Sequence, residues 1–107
     1  MRKFRKFGDV TADYYRDHPE EIDGFLQVTF EEYAKDQDTG ALLSALRIIS
    51  RAKGISAMAE ESGMTRQGLQ KALSVKGNPR LENINAIMHS LGYRLAPEKL
   101  DLMHTGK

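Results

Sequence analysis

The sequence predicts an all-α protein, a compact bundle of about five helices, and two observations carry that prediction. Apolar residues recur at helical spacing through most of the chain between residues 19 and 92. Glycine or proline interrupts the pattern at Gly54, Gly63 and Pro79, where a helix must end or the chain must turn. With 107 residues the chain is long enough for one small hydrophobic core.

The predicted helical domain spans residues 19–97, and it includes a leading acidic helix. Residues 1–18 are expected to form an N-terminal tail with a short helical turn at 9–17, and the basic start of that tail is expected to fray. Residues 98–107 are expected to form a C-terminal tail. The chain is therefore predicted to have one compact domain between two short flanking segments.

The first predicted helix runs from near Pro19 to about Lys35. Proline is tolerated in the first turn of a helix, where its missing N–H would have no partner. Acidic residues fall mostly off the apolar face, which is formed by Ile22, Phe25, Leu26, Phe30, Tyr33 and Ala34.

The second predicted helix, residues 40–53, is expected to be the buried centre of the domain. Asp38 or Thr39 can cap its start, and Gly54 can end it. Its apolar stripe is unusually wide and comprises Leu42, Leu43, Ala45, Leu46, Ile48, Ile49 and Ala52.

Residues 55–74 have the spacing of a helix-turn-helix, two short helices joined by a tight turn. Ala59 is small enough for the helices to cross closely, and Gly63 can adopt the positive φ that a sharp turn requires. Thr65 can cap the second helix with its hydroxyl. The residues expected to face inward are Ile55, Met58, Leu69, Ala72 and Leu73. Gly68 lies inside the second helix, where it either clears room for a close approach or is simply tolerated.

The outer face of the second helix has side chains that can bind DNA. Arginine and lysine donate to guanine and glutamine pairs with adenine in the major groove, so Arg66, Gln67, Gln70 and Lys71 are candidates for base contacts. Residues near the ends of the helix and in the following loop are predicted to complete the DNA-binding set, with phosphate contacts favoured for the last three; they are Thr65, Ser74, Lys76 and Asn78. A solvated outer face is the alternative interpretation, and Asn78 fits equally well as a turn residue before proline.

A turn is predicted at Lys76–Pro79, followed by a last helix that ends at Gly92. The apolar face of that helix comprises Leu81, Ile84, Ile87, Met88 and Leu91. Residues 93–96 alternate in a way that allows a short C-terminal strand.

Charge divides the chain into two parts that are expected to face different partners. Residues 8–40 contain ten acidic and two basic side chains, whereas residues 41–80 contain seven basic and two acidic ones. The basic part attracts phosphate and the acidic part repels it.

Composition excludes several other classes of function. The chain has no cysteine, so it has neither disulfides nor a thiolate metal site. Its three histidines show no metal-ligand spacing, and no nucleophile motif is present, so we expect neither catalysis nor a cofactor. No apolar run approaches membrane-spanning length, and the basic start lacks an apolar block, so we expect a cytoplasmic protein without a membrane partner.

Three motifs in order resemble a known family: Arg51-Ala-Lys-Gly, then the run from Ile55 to Leu73, then Lys76-Gly-Asn-Pro-Arg-Leu. The chain resembles the lambda-repressor-like (Cro-type) DNA-binding domains, and more narrowly the addiction-module antidote proteins, the antitoxins of type II toxin–antitoxin pairs. The resemblance covers roughly residues 14–97, although Ser56-Ala57 replaces the glutamine that many such first helices carry.

The resemblance implies an antitoxin that neutralises a RelE/HigB-type toxin and represses its own operon by binding double-stranded operator DNA. Because one domain can present only one recognition helix, we expect a homodimer that reads a palindrome. The acidic segment would then bind the toxin, with the candidate residues Tyr14, Tyr15, Glu20, Glu21, Glu31 and Glu32. An ordinary solvated acidic face is the alternative for that segment. For the whole chain, the alternative is a protein-interaction domain of helix-turn-helix fold that binds no DNA.

Overall fold

The computed structural model describes residues 7–100, and within them it confirms the all-helical prediction. These residues form six α-helices and one 3-10 turn, and none of them lies in a strand. The helices are α1 (Phe7–Asp17), α2 (Ile22–Asp36), α3 (Thr39–Lys53), α4 (Ile55–Ser62), α5 (Arg66–Ala72) and α6 (Leu81–Ser90), and the 3-10 turn is Pro19–Glu21. No helix in this part of the chain has both the length and the apolar character needed to cross a membrane.

Helix α3 lies at the centre of the core, as its wide apolar stripe predicts. Leu46 and Ile49 are 1% and 0% exposed. Ser50 is buried beside them, and its hydroxyl donates to the Leu46 carbonyl at 2.9 Å, so no polar atom is left unpaired there. Around this helix pack buried side chains from α2, α4, α5 and α6 and from the residue after α5: Ile22, Leu26, Met58, Ala59, Leu69, Leu73, Ile87 and Met88.

Helix α1 is longer than the short helical turn predicted from the sequence, and it packs against α3. Ala12 is 2% exposed, and Arg16 donates to the carbonyl of Arg51 at the end of α3 at 2.9 Å. The ring of Tyr15 stacks on that of Phe25, with ring centroids 4.7 Å apart. These contacts join α1 to residues in other helices, so the helical periodicity of the sequence does not predict them. The basic residues before Phe7 and the last seven residues lie outside the described part.

Most helix ends follow the predicted local chemistry. Asp38 caps α3, since its carboxylate accepts from the backbone N–H of Ala41 at 3.0 Å. Gly54 and Gly63 adopt positive φ values of 102° and 75° where α3 and α4 end. The end of α2 differs, because Gln37, a residue with a side chain, adopts the left-handed conformation there at φ 57°.

Three predictions about individual positions were wrong. The 3-10 turn occupies the start predicted for the first helix, and Ala34 on that helix is exposed. Leu81, assigned to the core face of the last helix, is 74% exposed because it is the first residue of α6, at the edge of the core. The short strand that the sequence left open at residues 93–96 is not formed, because no neighbouring strand is present among the described residues for it to pair with.

Candidate nucleic-acid interface

Helices α4 and α5 are joined by a tight turn at residues 63–65, and local chemistry explains its shape. Gly63 ends α4 in the left-handed conformation, and the N–H of Met64 donates to the Ala59 carbonyl at 2.9 Å. A hydrogen bond of this kind, from an N–H to a carbonyl five residues earlier, satisfies one of the free carbonyls at a helix end. Ala59 is only 4% exposed, as its predicted place at the close approach of two helices requires.

The cap predicted at Thr65 is confirmed. Its hydroxyl accepts from the N–H of Gly68 at 2.9 Å and opens α5. The same contact accounts for Gly68, because a β-carbon at that position would lie 2.9 Å from the Thr65 hydroxyl oxygen. The space beside Gly68 is therefore occupied by the cap of its own helix.

One face of α5 is anchored in the core. Leu69 and Leu73 are 0% and 1% exposed, and Ala72 is also buried. The guanidinium of Arg47, on α3, donates to the Leu73 carbonyl at the end of α5. The central helix thus holds α5 by both apolar packing and a hydrogen bond to one of its terminal carbonyls.

The opposite face of α5 presents the side chains predicted for base contacts. Arg66, Gln67, Gln70 and Lys71 are all exposed. Arg66 donates to the hydroxyl of Ser56, in the first turn of α4, at 3.2 Å. Ser56 thus orients Arg66. Ser74 is half-buried, and its hydroxyl donates back to the Lys71 carbonyl at 2.9 Å.

A second feature, a cationic groove, lies where the loop after α5 meets the start of α6. The groove has a volume of about 680 Å³ and contains no acidic side chain among its lining residues. Its polar lining comprises Lys71, Lys76, Asn78, Arg80 and Asn83. Three cations around one groove favour phosphate oxygens. The structure therefore brings Lys71 together with the predicted phosphate-contact residues Lys76 and Asn78.

Sequence reasoning missed Arg80 and Asn83 as members of this groove. Arg80 is exposed, and its only described ion pair, with Glu82 at 3.7 Å, is exposed as well. A basic residue placed between a predicted turn and a predicted helix start was the signal that could have identified it.

The acidic candidates form two separate groups. Tyr14 donates to the Glu21 carboxylate, with both oxygens 2.9 Å from the phenol oxygen, and its ring stacks on His18 with centroids 4.2 Å apart. That hydrogen bond, together with the nearby negative charge, raises the pKa of Tyr14 above its ordinary value. Glu20 is exposed beside this cluster, whereas Tyr15 packs against Phe25.

Glu31 and Glu32 lie on α2, further along the acidic half of the chain (residues 8–40), and both are exposed. Glu31 lies ten positions after Glu21, the last residue of the 3-10 turn, which corresponds to about 15 Å along the helix axis. Glu32 also forms an exposed ion pair with Lys35 at 3.7 Å. The six candidates for toxin binding therefore lie in two groups and do not form one contiguous patch.

Comparison with known protein families gives one family match and one similar protein. The model of a family described as probable addiction module antidote proteins matches residues 5–99. An uncharacterized protein of Haemophilus influenzae is 36% identical over 66 residues, which cover 62% of this chain and 68% of that protein. No solved structure matches.

Proposed function

Because this chain belongs to the family of probable addiction module antidote proteins, we propose that it is the antitoxin of a type II toxin–antitoxin pair and represses its own operon. In this proposal the α4–α5 unit is a helix-turn-helix of the lambda-repressor-like type, and α5 is the recognition helix. The acidic half binds the toxin, a small basic RelE/HigB-type protein.

The observation that supports DNA binding is that α5 has an exposed polar face opposite a buried apolar one. Arg66, Gln67 and Gln70 have the donors and acceptors that read base edges in the major groove. Lys71, Lys76 and Arg80 surround the cationic groove, where they would neutralise backbone phosphates and set the position of α5 on the duplex.

A single recognition helix reads too few base pairs for high specificity, so we propose a homodimer on two half-sites about 34–36 Å apart. The surface that suits self-association contains Leu81, which is 74% exposed, and Leu95, which is 38% exposed. Both line a shallow groove with Phe30, Ala96 and Pro97, and Glu82 and Asn85 complete its lining. Leu81→Lys would place a cation in this apolar surface and is expected to give a monomer in sedimentation velocity, whereas Val10→Lys, at a similarly exposed valine of α1, is expected to leave the dimer intact.

Operator binding is tested with Arg66→Ala/Gln70→Ala against DNA from the region upstream of the gene and against random DNA of equal length. We expect the double variant to lose specific affinity by about 100-fold, since each base contact contributes about 1–3 kcal/mol, and to retain most of its non-specific affinity. The matched control is Gln27→Ala/Lys35→Ala, which removes one carboxamide and one cation from the exposed acidic half. An Arg66/Gln70 variant that binds both DNAs as the parent does would show that α5 does not read bases.

A salt titration distinguishes this proposal from an interaction domain without a DNA role. For a DNA binder the logarithm of the binding constant falls with the logarithm of salt concentration, with a slope of about −0.9 per neutralised phosphate. Arg80→Ala is expected to reduce that slope by about one phosphate. If the parent chain does not bind the upstream DNA at low salt, the interaction domain becomes the better explanation.

A further inference from the structure

An apolar groove with an acidic rim lies between α2 and the first half of α3, on the acidic half of the protein. Its volume is about 240 Å³, and Val28, which is 56% exposed, lies on it. Phe25, Tyr33 and Leu42 line it and are half-buried. The hydroxyl of Thr29, also in the lining, already donates to the Phe25 carbonyl at 2.8 Å, so it requires no outside partner.

Carboxylates form the polar part of this groove. They belong to Glu32, Asp36 and Asp38, and no lysine or arginine is among the lining residues. Lys35 pairs with Glu32 from nearby at 3.7 Å, but both side chains are exposed, so a competing cation could replace it at little cost. One carboxylate oxygen of Asp36 and one of Asp38 each accept a hydrogen bond from a backbone N–H. Both side chains are exposed, and neither forms a described ion pair.

From this combination we propose that the groove is the docking site for a basic amphipathic segment of the toxin, which inserts apolar side chains against Val28 and pairs lysine or arginine with the rim. This inference rests on the proposed function, and it names the surface that such a partner would use. The volume suits single side chains better than a small-molecule ligand, whose pockets are about 300–1,000 Å³.

Charge favours a basic segment over the two other possible occupants of the groove, DNA and a second copy of this chain. DNA is excluded because carboxylates repel phosphate. A second copy seated on the same groove by two-fold symmetry would bring two sets of three carboxylates together. A basic partner is the one that the rim attracts.

The position of the groove leaves both proposed surfaces available at once. Its α3 residues are Ala41, Leu42 and Ala45, whereas Arg47 and Ser50, in the second half of the same helix, line a pocket beside α5. Along α3 the groove residues end at Ala45 and the pocket residues begin at Arg47, so the two sets do not overlap. One chain could hold its partner and DNA together.

The test measures binding of the purified product of the adjacent open reading frame to the full chain. Val28→Lys is expected to raise the dissociation constant by at least about tenfold, because the new cation repels a basic segment and interrupts the apolar contact. Val75→Lys is the matched control, since Val75 is 84% exposed in the loop after α5, outside both the groove and the acidic part of the chain, and it is expected to leave affinity within about twofold of the parent value. Helical circular dichroism and the unfolding temperature of both variants establish that they fold.

The rim is tested separately with Asp36→Asn, which keeps an oxygen for the N–H of Asp38 and removes the charge. We expect a slower association rate at low salt and little difference from the parent at high salt. A Val28→Lys variant that binds as the parent does would overturn the groove while leaving the antitoxin function standing. If the parent chain itself fails to bind the product, both proposals fall. A change in the oligomeric state of Val28→Lys alone would make the groove a self-association surface and overturn the assignment to the toxin.

Discussion

Gly77, in the loop after α5, lies against the backbone of that helix near Ala72. A β-carbon on Gly77 would lie 2.9 Å from the carbonyl oxygen of Lys71 and closer still to that of Ala72. The N–H of Gly77 also donates to the Ser74 carbonyl at 2.8 Å. The loop therefore folds back on the end of α5 and shapes the cationic groove, and only glycine permits that approach.

We expect Gly77→Ala to destabilise the fold by about 1–3 kcal/mol, because backbone rather than a flexible side chain would have to move. The unfolding temperature measures this, and for a domain of this size each kcal/mol corresponds to about 4–8 °C. Gly24→Ala is the control, since no atom lies within 4 Å of a β-carbon at Gly24 in α2. That substitution should stabilise the protein by up to about 1 kcal/mol through helix propensity. Equal effects at the two glycines would contradict the close approach of Gly77.

Loss of the Thr65 cap should destabilise α5. Thr65→Ala removes the acceptor for the Gly68 N–H and is expected to cost about 1 kcal/mol in denaturant unfolding. Thr65→Ser keeps the hydroxyl and is expected to cost much less. If serine and alanine have the same effect, the hydrogen bond does not contribute to stability.

Gln37 is a position where glycine should improve stability. Its φ of 57° lies in the left-handed region, which costs a residue with a side chain about 1–2 kcal/mol. Gln37→Gly should therefore raise the midpoint of denaturant unfolding, although part of the gain is offset by the greater freedom of glycine in the unfolded chain. Gln37→Ala keeps the strain and loses the 3.3 Å hydrogen bond to the Tyr33 carbonyl, so no gain is expected from it. A gain from alanine as large as that from glycine would exclude backbone strain as the cause.

The pKa of Tyr14 should depend on Glu21. The hydrogen bond to Glu21 raises that pKa, so Glu21→Gln should lower it toward its ordinary value. Because the pKa is higher in the folded state, the contribution to stability is complete below the unfolded-state pKa and is lost as pH rises through the folded-state pKa. The titration is followed by tyrosinate absorbance, with Tyr14→Phe subtracted to isolate the signal.

Tyr93 provides the control for this titration. Its phenol donates to Asp23 at 2.9 Å, and this hydrogen bond raises the pKa of Tyr93. Asp23→Asn should lower the pKa of Tyr93 and leave that of Tyr14 unchanged. An unchanged Tyr14 titration in Glu21→Gln would show that the bond to Glu21 does not persist in solution.

The sequence alone determined the features of this protein that depend on neighbours a few residues away. Gly63 ends α4, Thr65 caps α5 and Asp38 caps α3 through contacts within four residues, and periodicity placed Leu46 and Ile49 in the core. The exposed polar face of α5 followed from the same periodicity.

Only the tertiary structure decided the features that join distant parts of the chain. Arg47 reaches the Leu73 carbonyl across 26 residues, and Tyr93 reaches Asp23 across 70. The docking of α1, the exposure of Leu81 and the groove between α2 and α3 likewise depend on how helices pack. A helix pattern specifies which side chains share a face, but the packing of whole helices decides which faces are covered and which remain open to a partner.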